Sequence, residues 1–240
     1  MKSGRTLLRL ASPSSGRSIF IGDVHGCYAE LAELLSRVGP VRGDAVVAVG
    51  DMVRKGPDPV RCLDLWQQQG YLSVIGNNEE KILRFASQPR LRQVFLAAED
   101  AAVLHRKDLL EFLRTWPHVI EAGRGIAVVH GGFLPQMKLQ EKEIERSASD
   151  IVSLRWIRKE DGRWKPVEKN ERKGDEVLWA EVWNGPETIV YGHTPLREPR
   201  VDRKAVGLDT GCVYGGWLTA GIYDGNWRFE RVRARRQYAR

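Results

Sequence analysis

The sequence predicts an α/β fold in which parallel strands carry a polar site at their carboxyl ends. Short apolar segments alternate with helical segments through the first half of the chain, as in strands joined by crossover helices. Each strong apolar segment ends near glycine and an Asp, Asn or His residue, which is where parallel sheets build their sites. The length, 240 residues, suits one domain with a full hydrophobic core.

Strands and helices alternate in the first half. A run of about four apolar residues predicts a buried strand, whereas apolar residues recurring every three or four positions predict a helix. A helix is expected directly after the first strand. The other predictions are strands at 18–21, 46–49, 72–75 and 126–129, and helices over about 60–69, from about 79, and over 91–115.

The second half begins with residues 138–176, which are dense in charge and are predicted to be a surface excursion of the same domain. Strand patterns then return, and Asp224-Gly225-Asn226 predicts a hairpin turn between the last two. The predicted strands are 188–191, 205–208, 217–223 and 227–232. A single domain is therefore expected over 18–232, between basic tails at 1–17 and 233–240 that are expected to be flexible.

Composition and charge narrow the classes of function. The net charge is +7 and the pI is about 9.4, which favours anionic partners such as phosphorylated substrates, nucleotides or nucleic acid. Three cysteines without close spacing argue against a disulfide framework and favour a reducing compartment, so a cytoplasmic location is expected. No apolar run approaches the ~18 residues that a membrane span needs, so no membrane partner is expected.

Asp23 and His25 follow the first predicted strand in the sequence GDVHG. Alternate residues of an extended chain point the same way, so this carboxylate and imidazole can converge on one point, as metal ligands do. Taken alone, these residues fit a capped turn with a surface histidine equally well. The later strands, however, end in GDMVRKG, GNNE, HGG and GHTP, and five such motifs together favour a metal site.

The five motifs supply two Asp, one Asn and three His residues at one sheet edge. This set suits two divalent ions that share a carboxylate, and it favours Mn, Fe or Zn over Ca. In order and spacing the motifs resemble those of the phosphoprotein phosphatase superfamily of dinuclear metallophosphoesterases, from residue 23 to about 219. The segments GLDTGCVYGGWLTA and WAEVWNGPETIVYGHTP are similar to diadenosine tetraphosphatases and, in particular, their ApaH-like relatives.

The resemblance implies a layered β-sandwich flanked by helices (α-β-β-α), with the metal site at the C-terminal strand edge. It also implies two divalent ions, with Mn favoured and Fe, Zn, Co or Mg as alternatives, that activate water for attack on phosphorus. Lys55 and Arg155 would contact phosphate oxygens, although a surface role for Arg155 is nearly as well supported. The implied ligands are Asp23, His25 and Asp51 for the first ion, and Asp51, Asn77, His130 and His193 for the second.

Asn78 departs from the family pattern. Protein phosphatases of this superfamily have a His here to protonate the leaving oxygen, oriented by an Asp where this chain has Arg54. Because an amide is not an acid in the physiological range, good leaving groups are expected: phosphoanhydrides or aryl phosphates before phosphoserine. Rescue by His105 or His118 from a neighbouring loop would weaken this expectation.

The expected function is a metal-dependent phosphohydrolase that cleaves diadenosine or other nucleoside polyphosphates, or phosphotyrosine-like monoesters. A phosphoserine/threonine protein phosphatase and a catalytically weak phosphate-binding protein remain alternatives. The expected partners are a phosphorylated small molecule, a nucleotide or a phosphoprotein, and an RNA 5′ end would use the basic surface. In one interpretation residues 138–176 form a rim over the metal edge, on which Trp164 stacks a nucleobase; a solvated excursion is slightly better supported.

Overall fold

The structure, a computed structural model, describes residues 6–14, 16–88, 90 and 97–240. Its first half contains, in chain order, β1 (Leu7–Arg9), β2 (Ser18–Ile21), α1 (Tyr28–Val38), β3 (Ala45–Ala48), α2 (Pro59–Gln68), β4 (Leu72–Ser73), α3 (Asn77–Ser87), α4 (Ala98–Leu104), α5 (Lys107–Arg114), β5 (Val119–Glu121) and β6 (Ile126–Val128). Its second half contains α6 (Glu141–Arg146), α7 (Ala148–Ser153), β7 (Trp156–Glu160), β8 (Arg163–Val167), β9 (Val177–Leu178), α8 (Trp179–Val182), β10 (Thr188–Tyr191), β11 (Arg200–Val201), β12 (Ala205–Gly207), β13 (Trp217–Tyr223) and β14 (Trp227–Arg233).

Two sheets form the centre of the molecule. The first has the strand order β14-β13-β2-β3-β4, and β2, β3 and β4 are parallel. The second has the order β1-β5-β6-β10-β12-β11, and β6, β10 and β12 are parallel. Ile21 lies opposite Ala48 in the first sheet, and Val190 lies opposite Val128 in the second. The loops that follow these strands therefore leave each sheet side by side.

Alternation of side chains along the strands divides the apolar core into three layers. In β2, Phe20 belongs to the layer between the two sheets, whereas Ile19 and Ile21 belong to the layer beneath α1 and α2. In β10, Val190 shares the central layer and Ile189 packs towards α7 and α8. All five side chains are fully buried. The expected α-β-β-α arrangement is confirmed.

The helices cover the outer faces of the sheets through apolar stripes. In α1, Leu31, Leu34 and Val38 recur at intervals of three and four and are buried. The helix ends at Gly39, whose φ of 56° allows its amide to donate to the Leu35 carbonyl. Within the described part of the chain, no helix combines the length and the apolar character needed to cross a membrane.

The predicted strands agree with the structure within one residue, with one exception. The strand expected at 72–75 is only Leu72–Ser73, because the Ile75 amide leaves the sheet and donates to the Pro117 carbonyl. The helix expected over 91–115 is two helices, α4 and α5, which are separated after Leu104. Residues 91–96 of that prediction lie outside the described residues.

The described parts of both expected tails are incorporated into the fold. Within 1–17, Leu7–Arg9 pairs in parallel with Val119–Glu121, so a flexible tail is the wrong prediction for β1. It is also wrong for 233–240, where the Arg235 amide and the Tyr238 hydroxyl donate to Glu30 Oε1 at 2.9 and 2.7 Å. Glu30 is fully buried in α1, and a buried carboxylate needs such donors.

Residues 138–176 are more than a surface excursion. They form α6, α7 and an antiparallel sheet with the order β8-β7-β9, which β9 completes from just beyond this range. Ile144, Ile151 and Ile157 anchor these elements and are fully buried against the second sheet's outer face. The apolar anchors are hard to recognise in the sequence, because charged residues occupy the solvent-facing positions of the same short elements.

Candidate metal centre

Four strand ends converge on one buried cluster of polar side chains. The loops after β2 and β3 are joined by a hydrogen bond from the His25 amide to the Asp51 carbonyl, 2.7 Å. Between the sheets, the His193 amide donates to Asp23 Oδ1 and Oδ2 at 3.2 and 3.1 Å. In the second sheet, the Gly192 amide donates to the His130 carbonyl at 2.9 Å. Backbone contacts therefore fix the loops relative to one another.

Asp51 stands at the middle of the cluster. Its Oδ2 lies 3.4 Å from His25 Nε2, and its Oδ1 lies 3.3 Å from His130 Nε2. On one side, the ligating atoms of Asp23, His25 and Asp51 lie within 4.8 Å of one another; on the other side, those of Asp51, His130 and His193 do so. The two groups share one carboxylate, so each of its oxygens can face a different cation.

Asn77 adds an amide oxygen to the second group. It is the first residue of α3, and its Oδ1 lies 3.0 Å from His130 Nε2. The structure thus brings together all six residues that the resemblance implied as ligands. Their carboxylate, imidazole and amide donors are those that Mn, Fe and Zn accept.

Buried negative charge makes this donor set fit divalent cations. Asp23, Asp51, Glu79 and Asp209 are all less than 5% exposed. Burial, and then the charge of Asp209, raise the pKa of Asp23 well above its usual range, and burial raises the pKa of Asp209 to about 6. Carboxylates buried this closely resist ionisation unless cations compensate them.

Two of the histidines are held in the form that binds metal. Burial lowers the pKa of His25 to about 4. Burial, followed by the charges of His130 and Arg155, lowers the pKa of His193 to about 2. Both imidazoles are therefore neutral at physiological pH, and a metal ligand must be neutral imidazole.

Backbone strain is concentrated at the same cluster. Among the described residues, seven other than glycine have positive φ, a conformation that costs on the order of 1–3 kcal/mol outside glycine. Five of the seven belong to the site loops, which is where strain persists for function rather than for folding. They are His25 (49°), Asp51 (52°), Arg54 (69°), Lys55 (68°) and His193 (65°).

Glu79 positions the loop that carries Asp51. Its Oε2 accepts hydrogen bonds from the amides of Asp51 and Gly76, each 2.9 Å, and its Oε1 accepts one from Val53 at 3.1 Å. A Cβ at Gly76 would overlap Asp51 Oδ1, so glycine is required for this close approach. Glu79 is the third residue of α3 and caps the Gly76 amide, a local pattern that GNNE carries, but its bonds to Asp51 and Val53 have no such signal in the sequence.

Lys55 borders the first ligand group. Its Nζ lies 3.2 Å from His25 Nε2 and donates to the Tyr214 hydroxyl at 2.9 Å. Tyr214 is 36% exposed, so this pair stands where the cluster meets solvent. Tyr214 and Asp209 were both missed as site residues; the available signal was GLDTGCVYGG, in which a buried strand again ends in Gly-x-Asp-x-Gly.

Asn78 is linked to the central carboxylate. Its Nδ2 donates to Asp51 Oδ2 at 2.5 Å, and its Oδ1 accepts from Arg54 Nη1 at 3.3 Å. Arg54 is paired in turn with the buried Asp100, 2.9 Å from Nε to Oδ2. An amide and a guanidinium therefore occupy the positions at which the protein phosphatases have a histidine and an aspartate.

His105 and His118, which were the candidates to replace the missing general acid, lie in surroundings different from those of Asn78. His118 Nε2 lies 3.5 Å from Glu80 Oε1. His105 caps the carboxyl end of α4 and is exposed. Neither belongs to the two ligand groups found among the described residues.

Arg155 borders the second ligand group. Its Nη2 donates to the His193 carbonyl at 2.7 Å. Its Nε is buried and has no hydrogen-bond partner among the described residues. Arg155 is thus held against the backbone of His193, a proposed ligand.

A family model covers the site and most of the chain. The model of the calcineurin-like phosphoesterases matches residues 16–222, which include every residue of both ligand groups. The chain belongs to the calcineurin-like phosphoesterase family. The resemblance to metallophosphoesterases that the sequence motifs indicated is thereby confirmed.

Curated relatives of this phosphoesterase span nearly its whole length. One, named bis(5′-nucleosyl)-tetraphosphatase PrpE (asymmetrical), from Oceanobacillus iheyensis, is 28% identical over 224 residues, covering 83% of this chain and 86% of the relative. A protein of the same name from Geobacillus is 26% identical over 227 residues, covering 85% and 89%.

Solved structures share the fold of this phosphoesterase. A crystal structure described as a candidate diadenosine tetraphosphatase has a TM-score of 0.78 and 31% identity, covering 96% of this chain and 98% of that one. A serine/threonine phosphatase from Saccharomyces cerevisiae has a TM-score of 0.66 at 11% identity, covering 97% and 85%, and it shows the likeness of fold alone.

Substitution of Asp51 by Asn tests the shared ligand. The change keeps the shape of the side chain and removes the charge that would hold two cations close together, so both metal content and activity should fall. We expect turnover of p-nitrophenyl phosphate to drop by at least ~10³-fold and metal per chain, measured by mass spectrometry, to drop with it.

Asp161→Asn is the matched control. Asp161 has a φ of 49°, close to the 52° of Asp51, and lies in the exposed turn between β7 and β8. It should leave metal content and turnover unchanged, because Asn also tolerates this backbone conformation. Normal turnover in Asp51→Asn would contradict a shared carboxylate.

Proposed function

We propose that this phosphoesterase is a two-metal phosphohydrolase that cleaves the phosphoanhydride bonds of dinucleoside polyphosphates. The observation that carries the proposal is the carboxylate of Asp51, shared by two buried groups of ligating atoms. The names of the relatives support the choice of substrate, since they are called bis(5′-nucleosyl)-tetraphosphatases.

Asp23, His25 and Asp51 would hold the first ion, and Asp51, Asn77, His130 and His193 the second. Divalent ions bound in this way supply Lewis acidity, which lowers the pKa of a water molecule and neutralises phosphoryl charge. The mixed nitrogen and oxygen donors favour Mn. The free, buried thiols of Cys27, Cys62 and Cys212 support a reducing, cytoplasmic location.

Lys55 and Arg155 would bind the phosphoryl oxygens from opposite sides of the cluster. Lys55 Nζ lies beside His25 in the first group, whereas Arg155 is fixed to the backbone of His193 in the second. The Tyr214 hydroxyl orients the Lys55 ammonium, which is otherwise a point charge on a flexible stem.

The groups around Asn78 favour a leaving group that needs no proton. The Asn78 amide is not an acid, and Arg54 contacts its oxygen, so a cation stands near the position of the family's proton donor. A departing nucleotide carries its charge on phosphate, whose second pKa is about 6, and a nearby cation stabilises that charge. A serine alkoxide would need the proton that Asn78 does not provide.

A substrate panel with Mn tests the proposed function directly. Diadenosine tetraphosphate, a phosphotyrosine peptide, a phosphoserine peptide and triphosphorylated RNA would be compared by kcat/KM. We expect diadenosine tetraphosphate to be cleaved fastest, the phosphotyrosine peptide more slowly and the phosphoserine peptide slowest, because general acid catalysis contributes on the order of 10²–10⁴-fold. A phosphoserine peptide cleaved as fast as the dinucleotide would overturn the proposal.

The dependence of rate on leaving group tests the role of Asn78. For substituted phenyl phosphates, log kcat/KM should fall steeply as the pKa of the phenol rises, since no residue protonates the departing oxygen. Asn78→His should flatten this slope, although incompletely, because the Arg54 guanidinium disfavours a protonated imidazole beside it.

Asn78→Ala is the control for this series, since it removes the amide without supplying an acid. It should lower the rates and leave the slope as steep as in the wild type. If the wild-type slope is already shallow, another residue donates the proton and the leaving-group argument fails.

A further inference from the structure

A cavity of about 360 Å³ adjoins the metal centre on the side of His193. The His193 ring forms part of its wall, and His193 Nε2 lies 3.1 Å from the carbonyl of Ser153, the last residue of α7. The rest of the wall comes from α7 and its link to β7, from the first residue of β7, and from the end of β8 with the chain that follows it. A ligand in this cavity would therefore lie next to the second ligand group.

The cavity presents an aromatic face. Trp156, the first residue of β7, lines it and is only partly buried. The guanidinium carbon of Arg172 lies 4.1 Å from the centroid of the indole ring, and Arg172 Nε is anchored by Glu176 Oε1 at 2.6 Å. The guanidinium covers one face of the indole, so a nucleobase would stack on the opposite face or in place of Arg172.

Charged side chains of both signs surround this platform. Arg155, Lys169 and Arg172 bring positive charge to the lining, and Asp150 and Glu168 bring negative charge. Binding of inorganic phosphate would need only the positively charged side chains. A nucleotide presents an aromatic ring, a phosphate, and ribose hydroxyl or amino donors, and this lining offers a matching group for each of them.

We propose that this cavity is the binding site for one nucleoside 5′-phosphate unit of the substrate, with its base stacked on Trp156. The proposal rests on the proposed function, whose substrate carries such a unit beside the phosphates to be cleaved. The volume lies at the low end of the range for ligand pockets, about 300–1,000 Å³, so it suits one nucleoside rather than two. Lys169 would meet the 5′-phosphate.

Trp164, on which one interpretation of the sequence stacks a nucleobase, lines a different part of the surface. It lies on β8 and lines a separate depression with Gln136 and Asn184. Lys159 Nζ stands 6.0 Å from its ring centroid, so it too is a half-buried indole beside a cation. Trp164 is therefore a matched control for Trp156 within the same hairpin.

Calorimetry in EDTA, which measures the affinity of the metal-free protein for AMP, tests the site without relying on catalysis. Trp156→Ala should weaken AMP binding about tenfold, which corresponds to about 1.4 kcal/mol and is the loss expected for one base stack. Binding of ribose 5-phosphate, which lacks a base, should not change. Trp156→Phe should retain most of the AMP affinity, and Trp164→Ala should retain all of it.

Lys169→Gln provides a second variant that does not depend on removing an aromatic side chain. It should weaken AMP and ribose 5-phosphate by the same factor, because its partner would be the phosphate that both share. With metal present, Trp156→Ala should raise KM for diadenosine tetraphosphate about tenfold at unchanged kcat. The KM and kcat for p-nitrophenyl phosphate should not change.

The outcomes separate this proposal from the proposed function. Equal weakening of AMP and ribose 5-phosphate by Trp156→Ala, or equal effects of Trp156→Ala and Trp164→Ala, would overturn the nucleotide site. If the wild type cleaves diadenosine tetraphosphate while Trp156→Ala binds AMP normally, only the nucleotide site fails. If Trp156 governs AMP binding but the dinucleotide is not cleaved, the nucleotide site stands and the proposed function fails.

Discussion

The contact on which the rest of the site depends is that of the Asp51 carboxylate with imidazoles on both of its sides. His25 approaches one oxygen and His130 the other, at 3.4 and 3.3 Å. These histidines follow strands of different sheets, so the contact requires the two sheets to be packed in one relative position. Two hydrogen bonds maintain the strained φ of Asp51. Glu79 accepts a hydrogen bond from the Asp51 backbone amide, and the Asn78 backbone amide donates to Asp51 Oδ1 at 3.0 Å.

The imidazoles beside Asp51 offset the cost of burying a negatively charged carboxylate. Burial opposes ionisation of Asp51, but the neighbouring His130 and His25 hold its pKa well below its usual range. Glu79, by contrast, has its pKa raised to about 7 by burial and by the charge of Asp51. A cluster of this kind is costly as a structural device, and two divalent cations would convert the same charges into a stable set of ligands.

The sequence predicted which side chains would come together because each follows a strand in a short motif flanked by glycine. Asp23, His25 and His130 could be assigned in this way, since the direction of parallel strands brings their ends to one edge. Asp209 follows β12 in a similar context, but its motif, GLDTG, indicated only the family resemblance and not a site residue. Glu79 accepts hydrogen bonds from the distant amides of Asp51 and Val53, which no local pattern indicates. The same holds for the hydrogen bond from Tyr238 to Glu30. The order of Trp156 and Trp164 relative to the site depends on how a hairpin packs, which alternation alone does not settle.

The proposed site holds two metal ions that share Asp51. Crystals grown with Mn²⁺ would test it most directly through an anomalous difference map, which locates the ions independently of any assay. We expect two peaks per chain, one beside Asp23 and His25 and the other beside His130 and His193, with the Asp51 carboxylate between them. A single peak, or two peaks that do not both contact Asp51, would contradict the account.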